Sequence, residues 1–98
     1  MSDRILREHA RLAILRTLYD EMNYASNDSA LVDHLEMYGI RKTRDWVRNE
    51  LAYLADMGAI KRDEQGTVIV VHLLPRGVEH IERRLVLEGV KRMSPPER

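Results

Sequence analysis

Between Thr43 and Ile60 the chain reads TRDWVRNELAYLADMGAI, and no other stretch restricts its possible folds so strictly. At about 100° per residue, Val47, Leu51, Leu54 and Gly58 fall on one line of a helix, flanked by Trp46, Tyr53 and Met57. Arg44, Asp45, Arg48, Asn49, Ala52, Ala55 and Asp56 collect on the opposite, polar arc. Thr43 is placed to cap the start, Asp45 complements the helix dipole, and Gly58 is placed to stop the helix in a left-handed conformation. Directly afterwards the period changes. Residues 59–63 and 67–74 are rich in Val and Ile and are joined by a polar turn around Glu64 to Gly66, which predicts a β-hairpin. Its second strand, TVIVVHLL, is apolar at odd and even positions alike, so both of its faces need cover.

Upstream, residues 4–22 repeat apolar side chains at helical spacing and contain neither Gly nor Pro, which predicts a first helix. Around Leu12, Ala13, Ile14 and Leu15 it is apolar nearly all round. NYASNDS is a cluster of turn and capping residues, followed by a short second helix near 29–38, with Leu31, Leu35 and Tyr38 on one face and Gly39 as terminator. Only IRK separates it from the helix predicted over 43–57, so the two turn sharply on each other as in a helix-turn-helix. Pro75 suits a first helical position, and Val78, Ile81 and Leu85 mark a fourth helix over 75–88 that Gly89 ends. Residues 1–89 are therefore expected to form one domain and residues 90–98, polar and Pro-rich, a flexible tail.

Ninety-eight residues suffice for a single core, and 44% apolar with 33% charged residues fits a soluble globular chain. No apolar run approaches the roughly 20 residues that cross a bilayer, and the N-terminus carries no secretion signal, so a cytoplasmic location is expected. The absence of cysteine excludes disulfides, thiol nucleophiles and thiolate metal sites. A formal net charge of zero weighs against a dedicated nucleic-acid binder unless a local basic cluster compensates.

Three helices, a hairpin and a further helix make a mainly α, α+β chain whose order resembles a winged helix-turn-helix domain. The run LAYLADMGAIKRDEQGTVIVVHLLPRGVEHI is similar to small winged-helix transcription regulators. In those proteins the last turns of the third helix read L-x-x-L-x-x-x-G-x-I before a basic strand, a wing and a returning strand; Leu51, Leu54, Gly58, Ile60, Leu74 and Gly77 match. The whole length also resembles a family of small winged-helix proteins of Mu-like phages and prophages, through the R-x-x-I-L of Arg11 to Leu15 and the G-V-K-R of Gly89 to Arg92. The first resemblance implies DNA binding with the third helix in the major groove; the second implies the fold and a phage setting.

Such docking would present Arg41, Lys42, Thr43, Arg44, Arg48 and Asn49, with Lys61 and Arg62 on the wing. Arginine can pair with guanine, asparagine with adenine, and threonine or lysine with phosphate. Against this, Asp56 shares the helix face, Asp63 and Glu64 offset the wing cations, and arginines on a helix are ordinarily just solvated. Trp46 and Tyr53 share the buried flank and are expected in the core rather than stacked on bases. His9, His34, His72 and His80 lack the spacing that aims two ligands at one metal. No catalytic constellation is visible, so a non-enzymatic protein without metal or cofactor is expected. Surplus apolar surface at Leu12, Ile14, Leu15, Leu85 and Leu87 points to a homodimer, unless the fourth helix folds back to close the core within one chain. The leading expectation is a DNA-binding regulator; the alternative is a protein-interaction or phage-assembly module.

Overall fold

The computed structural model describes residues 2–95. Among them, α1 (Asp3–Asp20), β1 (Ala25–Asn27), α2 (Asp28–Glu36), α3 (Arg44–Asp56), β2 (Ile60–Gln65), β3 (Val68–Leu73) and α4 (Pro75–Ile81) follow in order, with one 3-10 turn at Met22–Tyr24. The strands form one antiparallel sheet in the order β1-β3-β2. This is the α+β, winged-helix order read from the sequence, with β1 added. Local chemistry sets the boundaries. The side chains of Ser2 and Thr43 accept the amides of Ile5 at 3.2 Å and Trp46 at 3.1 Å, capping α1 and α3. Gly58, at φ 76°, lets the amides of Gly58 and Ala59 fold back onto the carbonyls of Ala55 and Leu54, which stops α3 and starts β2.

The core lies around α1, which touches α2, α3, α4 and β3. A helix enclosed on so many sides can be apolar all round, and Leu12, Ala13, Ile14 and Leu15 are all buried within the single chain. Leu87 is buried with them and Leu85 is half-buried against the core. The side chains expected to form a dimer interface are thus consumed by the fold of one protomer, because the chain beyond α4 returns over α1. β3 is likewise one-sided. Ile69, Val71 and Leu73 point inward, while Val68, Val70 and His72 are half-buried on the outer face. The strand's second edge is taken by β1, with Ala25, Ser26 and Asn27 opposite His72, Val71 and Val70.

The fourth helix ends at Ile81, not near residue 88. Arg83 adopts φ 64°, its amide bonds the carbonyl of His80 and the amide of Arg84 that of Glu79, which closes the helix. The chain then turns back because the buried His80 ring bridges it. Nδ1 accepts the Leu87 amide at 3.0 Å and Nε2 donates to the Lys91 carbonyl at 2.9 Å, which fixes a neutral tautomer. Residues 90–93 consequently belong to the domain. Val90 is buried, Met93 packs on the core, and the Lys91 amide bonds the Glu8 carbonyl. The rest of the expected tail beyond residue 95 lies outside the described residues. Among the described residues no helix is long and apolar enough to cross a membrane.

Gly77 lets α4 press against the α3–β2 junction: a Cβ there would lie 2.5 Å from Leu73 Cδ1 and 2.6 Å from the Ala59 carbonyl oxygen. Backbone cannot yield as a side-chain tip can. Gly77→Ala is therefore expected to lower stability by about 1 to 3 kcal/mol in urea denaturation, despite alanine's better helix propensity.

Candidate nucleic-acid interface

The region where α2, α3 and the hairpin turn meet is organised by Asp28, the first residue of α2. Asn27 caps that helix by accepting the Ala30 amide at 2.9 Å, which turns the next side chain inward. The Asp28 carboxylate is 0% exposed. Its Oδ2 accepts from Arg44 Nε at 2.8 Å and Arg48 Nε at 2.6 Å, and its Oδ1 accepts the Ile69 amide at 3.0 Å. Both guanidinium groups also donate from Nη2 to the Thr67 carbonyl in the hairpin turn, Arg48 at 2.8 Å. One carboxylate thereby ties the second helix, the third helix and the wing together. Burial pushes the Asp28 carboxyl up, but the hydrogen bonds from Arg44, the Ile69 amide and Arg48 outweigh it and hold the group well below the usual carboxylate range. The same bond raises Arg44 above the ordinary arginine value.

Arg44 and Arg48 are therefore not the freely solvated side chains that their polar arc suggests. They are one-third exposed, with side-chain accessibilities of 39% and 34%. Their Nη1 groups make no hydrogen bond among the described residues and remain for an outside acceptor. Thr43 lies at the same helix start, its hydroxyl oxygen committed to the cap. Arg41, Lys42 and Asn49 are exposed nearby. Lys61 and Arg62 are exposed on β2, Lys61 with Asp63 at 3.9 Å. The outermost line of α3, however, is Asp45, Asn49, Ala52 and Asp56, acidic near both ends. Only the amino-terminal half of α3, with the turn before it, offers a cationic approach.

Trp46 and Tyr53 occupy the flank of α3 that faces α1, half-buried as expected of core-edge residues, and each lies under an arginine of α1. Arg7 stands 4.9 Å above the Trp46 ring and Arg11 3.6 Å above that of Tyr53. Between them Glu50, 1% exposed, accepts Arg11 Nε at 2.8 Å and a bond from Arg7 Nη1. Lys42 Nζ also lies 5.5 Å from the centre of the Trp46 ring. Neither Asp28 nor Glu50 stands out in the sequence. Asp28 hides in a turn-like cluster, and its one signal is that Arg44 and Arg48 are four residues apart and present a single stripe.

The fold and this site define a small winged-helix protein with a buttressed arginine pair at the start of its third helix. No family model matches the chain. It is 39% identical over 95 residues to the uncharacterized protein gp26 of Escherichia phage Mu, an alignment covering 97% of this chain and 98% of that protein. It is also 28% identical over 93 residues to an uncharacterized protein of Haemophilus influenzae, covering 95% of this chain and 90% of that one. The chain belongs to the family of the phage Mu protein gp26.

Proposed function

We propose that this protein binds double-stranded DNA as a small, non-enzymatic regulator, approaching the duplex with the start of α3. The observation that carries this is the pair of arginines seated on Asp28. Their inner N–H groups are occupied, so their outer ones are held in fixed directions without side-chain entropy left to lose, as suits a contact with phosphate or a guanine edge. Arg41 and Lys42 supply phosphate contacts beside them, and Asn49 lies next on the helix for a base edge. The acidic positions Asp45 and Asp56 oppose deep insertion of the whole helix, so the docking is end-on and the number of neutralised phosphates small. Binding then falls with salt on a shallow slope for a DNA-binding protein, and non-specific affinity is in the range of about 1 to 100 µM.

Fluorescence anisotropy against genomic fragments around the protein's own gene, at low salt, is the direct test. Arg48→Ala is expected to cost about 1 to 3 kcal/mol on the preferred site and to relax its sequence preference, whereas Lys42→Ala weakens all duplexes alike. Arg48→Lys keeps the charge but not the two-pronged geometry and is expected to behave like Arg48→Ala on the preferred site. No binding at tens of micromolar protein would sink this reading in favour of a protein-interaction module. One observation supports that second reading, the line of Asp45, Asn49, Ala52 and Asp56, which suits a basic protein partner better than a phosphate backbone.

A further inference from the structure

We propose that the cavity between the end of α4 and the returning chain at residues 92–95 is a second binding site, for an acidic peptide segment of a partner protein bearing one apolar side chain. The argument begins with Arg83. Three helices of this chain end in the same way, with a left-handed residue whose amide and that of the next residue fold back onto the last turn. After α2 that residue is Gly39 and after α3 it is Gly58, but after α4 it is Arg83. Glycine is the unstrained choice at this position, so the fold alone gives no reason for a long cationic side chain there.

That side chain helps line a cavity of about 420 Å³. Arg92 reaches the same cavity from the returning segment, and Leu85, Val86 and Met93 supply apolar wall, Val86 being 53% exposed. Neither arginine has a salt-bridge partner among the described residues. Residues 83–93 hold Arg83, Arg84, Lys91 and Arg92 against the single carboxylate of Glu88, on a chain whose net charge is zero. Two cations without a salt-bridge partner among the described residues line one cavity of mixed polar and apolar wall, and an anion entering it would be attracted by both. The walls are held in advance, because His80 pins both Leu87 and Lys91. Arg83 and Arg92 line the cavity and are both solvent-exposed, which suits an extended chain lying across it. Carboxylates fit the two arginines and an apolar side chain fits between Leu85 and Met93.

The test is a 1H–15N NMR titration of the full chain with the peptide Ac-Glu-Glu-Leu-Glu-Glu-amide and its Gln-for-Glu counterpart. Saturable shifts at Arg83, Leu85, Val86, Arg92 and Met93, with a dissociation constant on the order of 1 mM or tighter, are expected for the acidic peptide only. Arg83→Gly removes the cation and the backbone strain together. It is expected to weaken the peptide by about tenfold while its melting temperature stays equal to or above that of the parent, an outcome that a purely structural arginine would not give. Arg92→Gln is expected to weaken the peptide likewise, and duplex binding at α3 should not change in either variant. The proposal is overturned if the acidic peptide produces no saturable shifts, if Arg83→Gly and Arg92→Gln bind it as the parent does, or if inorganic phosphate reproduces the shifts at least as tightly as the peptide.

Discussion

Replacing Asp28 with alanine is expected to lower the unfolding free energy by about 3 to 5 kcal/mol, a large share of the 5 to 15 kcal/mol that holds a domain of this size together. Three groups lose their acceptor at once. The Ile69 amide is left buried and unsatisfied, and Arg44 and Arg48 keep a like-charge pair around an emptied site. Because both arginines are about one-third exposed they turn partly to water, which places the loss toward the lower end of that range. Asp28→Asn retains an oxygen for the Ile69 amide and is expected to cost distinctly less than alanine. Urea denaturation followed by circular dichroism checks both; a loss below about 1 kcal/mol for the alanine variant would mean that the wing is held by packing alone.

The same carboxylate sets the acid limit of stability. Its proton is bound more weakly in the folded chain than in the unfolded one, so the stabilisation is fully present above the unfolded-state value near 4 and is lost as pH falls below it. The parent should therefore lose stability steeply below about pH 4, and Asp28→Asn should show a flatter acid limb. Equal slopes in the two proteins would assign the acid transition to other carboxylates.

What the sequence made legible follows from the nature of each signal. α3 was legible because cap, dipole, apolar stripe and terminating glycine all lie within it and agree, and the hairpin because β-branched residues flank a polar turn. β1 was not, since three residues in a run of turn formers carry no period and become a strand only by pairing with β3. The early end of α4 was hidden for a related reason. Leu85 continues the helical spacing, whereas the terminator is an arginine in a glycine's conformation and the force turning the chain back is a ring seven residues from its amide partner. Arg44 and Arg48 are legible as one stripe of α3, but their partner Asp28 lies 16 and 20 residues away, and such pairing has no sequence period. Surplus apolar surface in a sequence suggests an interface, yet Leu12, Ile14, Leu15 and Leu87 are buried within one chain, because a helix at the centre of a small domain and one at a dimer contact look alike until their neighbours are known.

Glu50 gives the second large effect, and it tests what a buried ionic cluster contributes. Glu50→Ala is expected to cost about 3 kcal/mol or more, because it strands cations between α1 and α3. The two arginines respond differently. The Arg7 side chain, 29% exposed and also paired to Asp3 at 2.8 Å, swings toward solvent. Arg11 is 13% exposed and held by the Gly89 carbonyl at 2.8 Å and the Tyr53 ring, so its charge stays where it is and bears most of the penalty. If stranded charge is the cause, the double variant Glu50→Leu with Arg11→Met removes it, restores apolar packing between the helices, and should recover most of the loss in thermal denaturation, since apolar replacement of a whole buried ion pair is often neutral. Recovery would be incomplete, because the Gly89 carbonyl must then find water. A double variant as unstable as Glu50→Ala alone would show instead that the attraction within the cluster, and not relief from an unpaired charge, is what keeps α1 seated on α3.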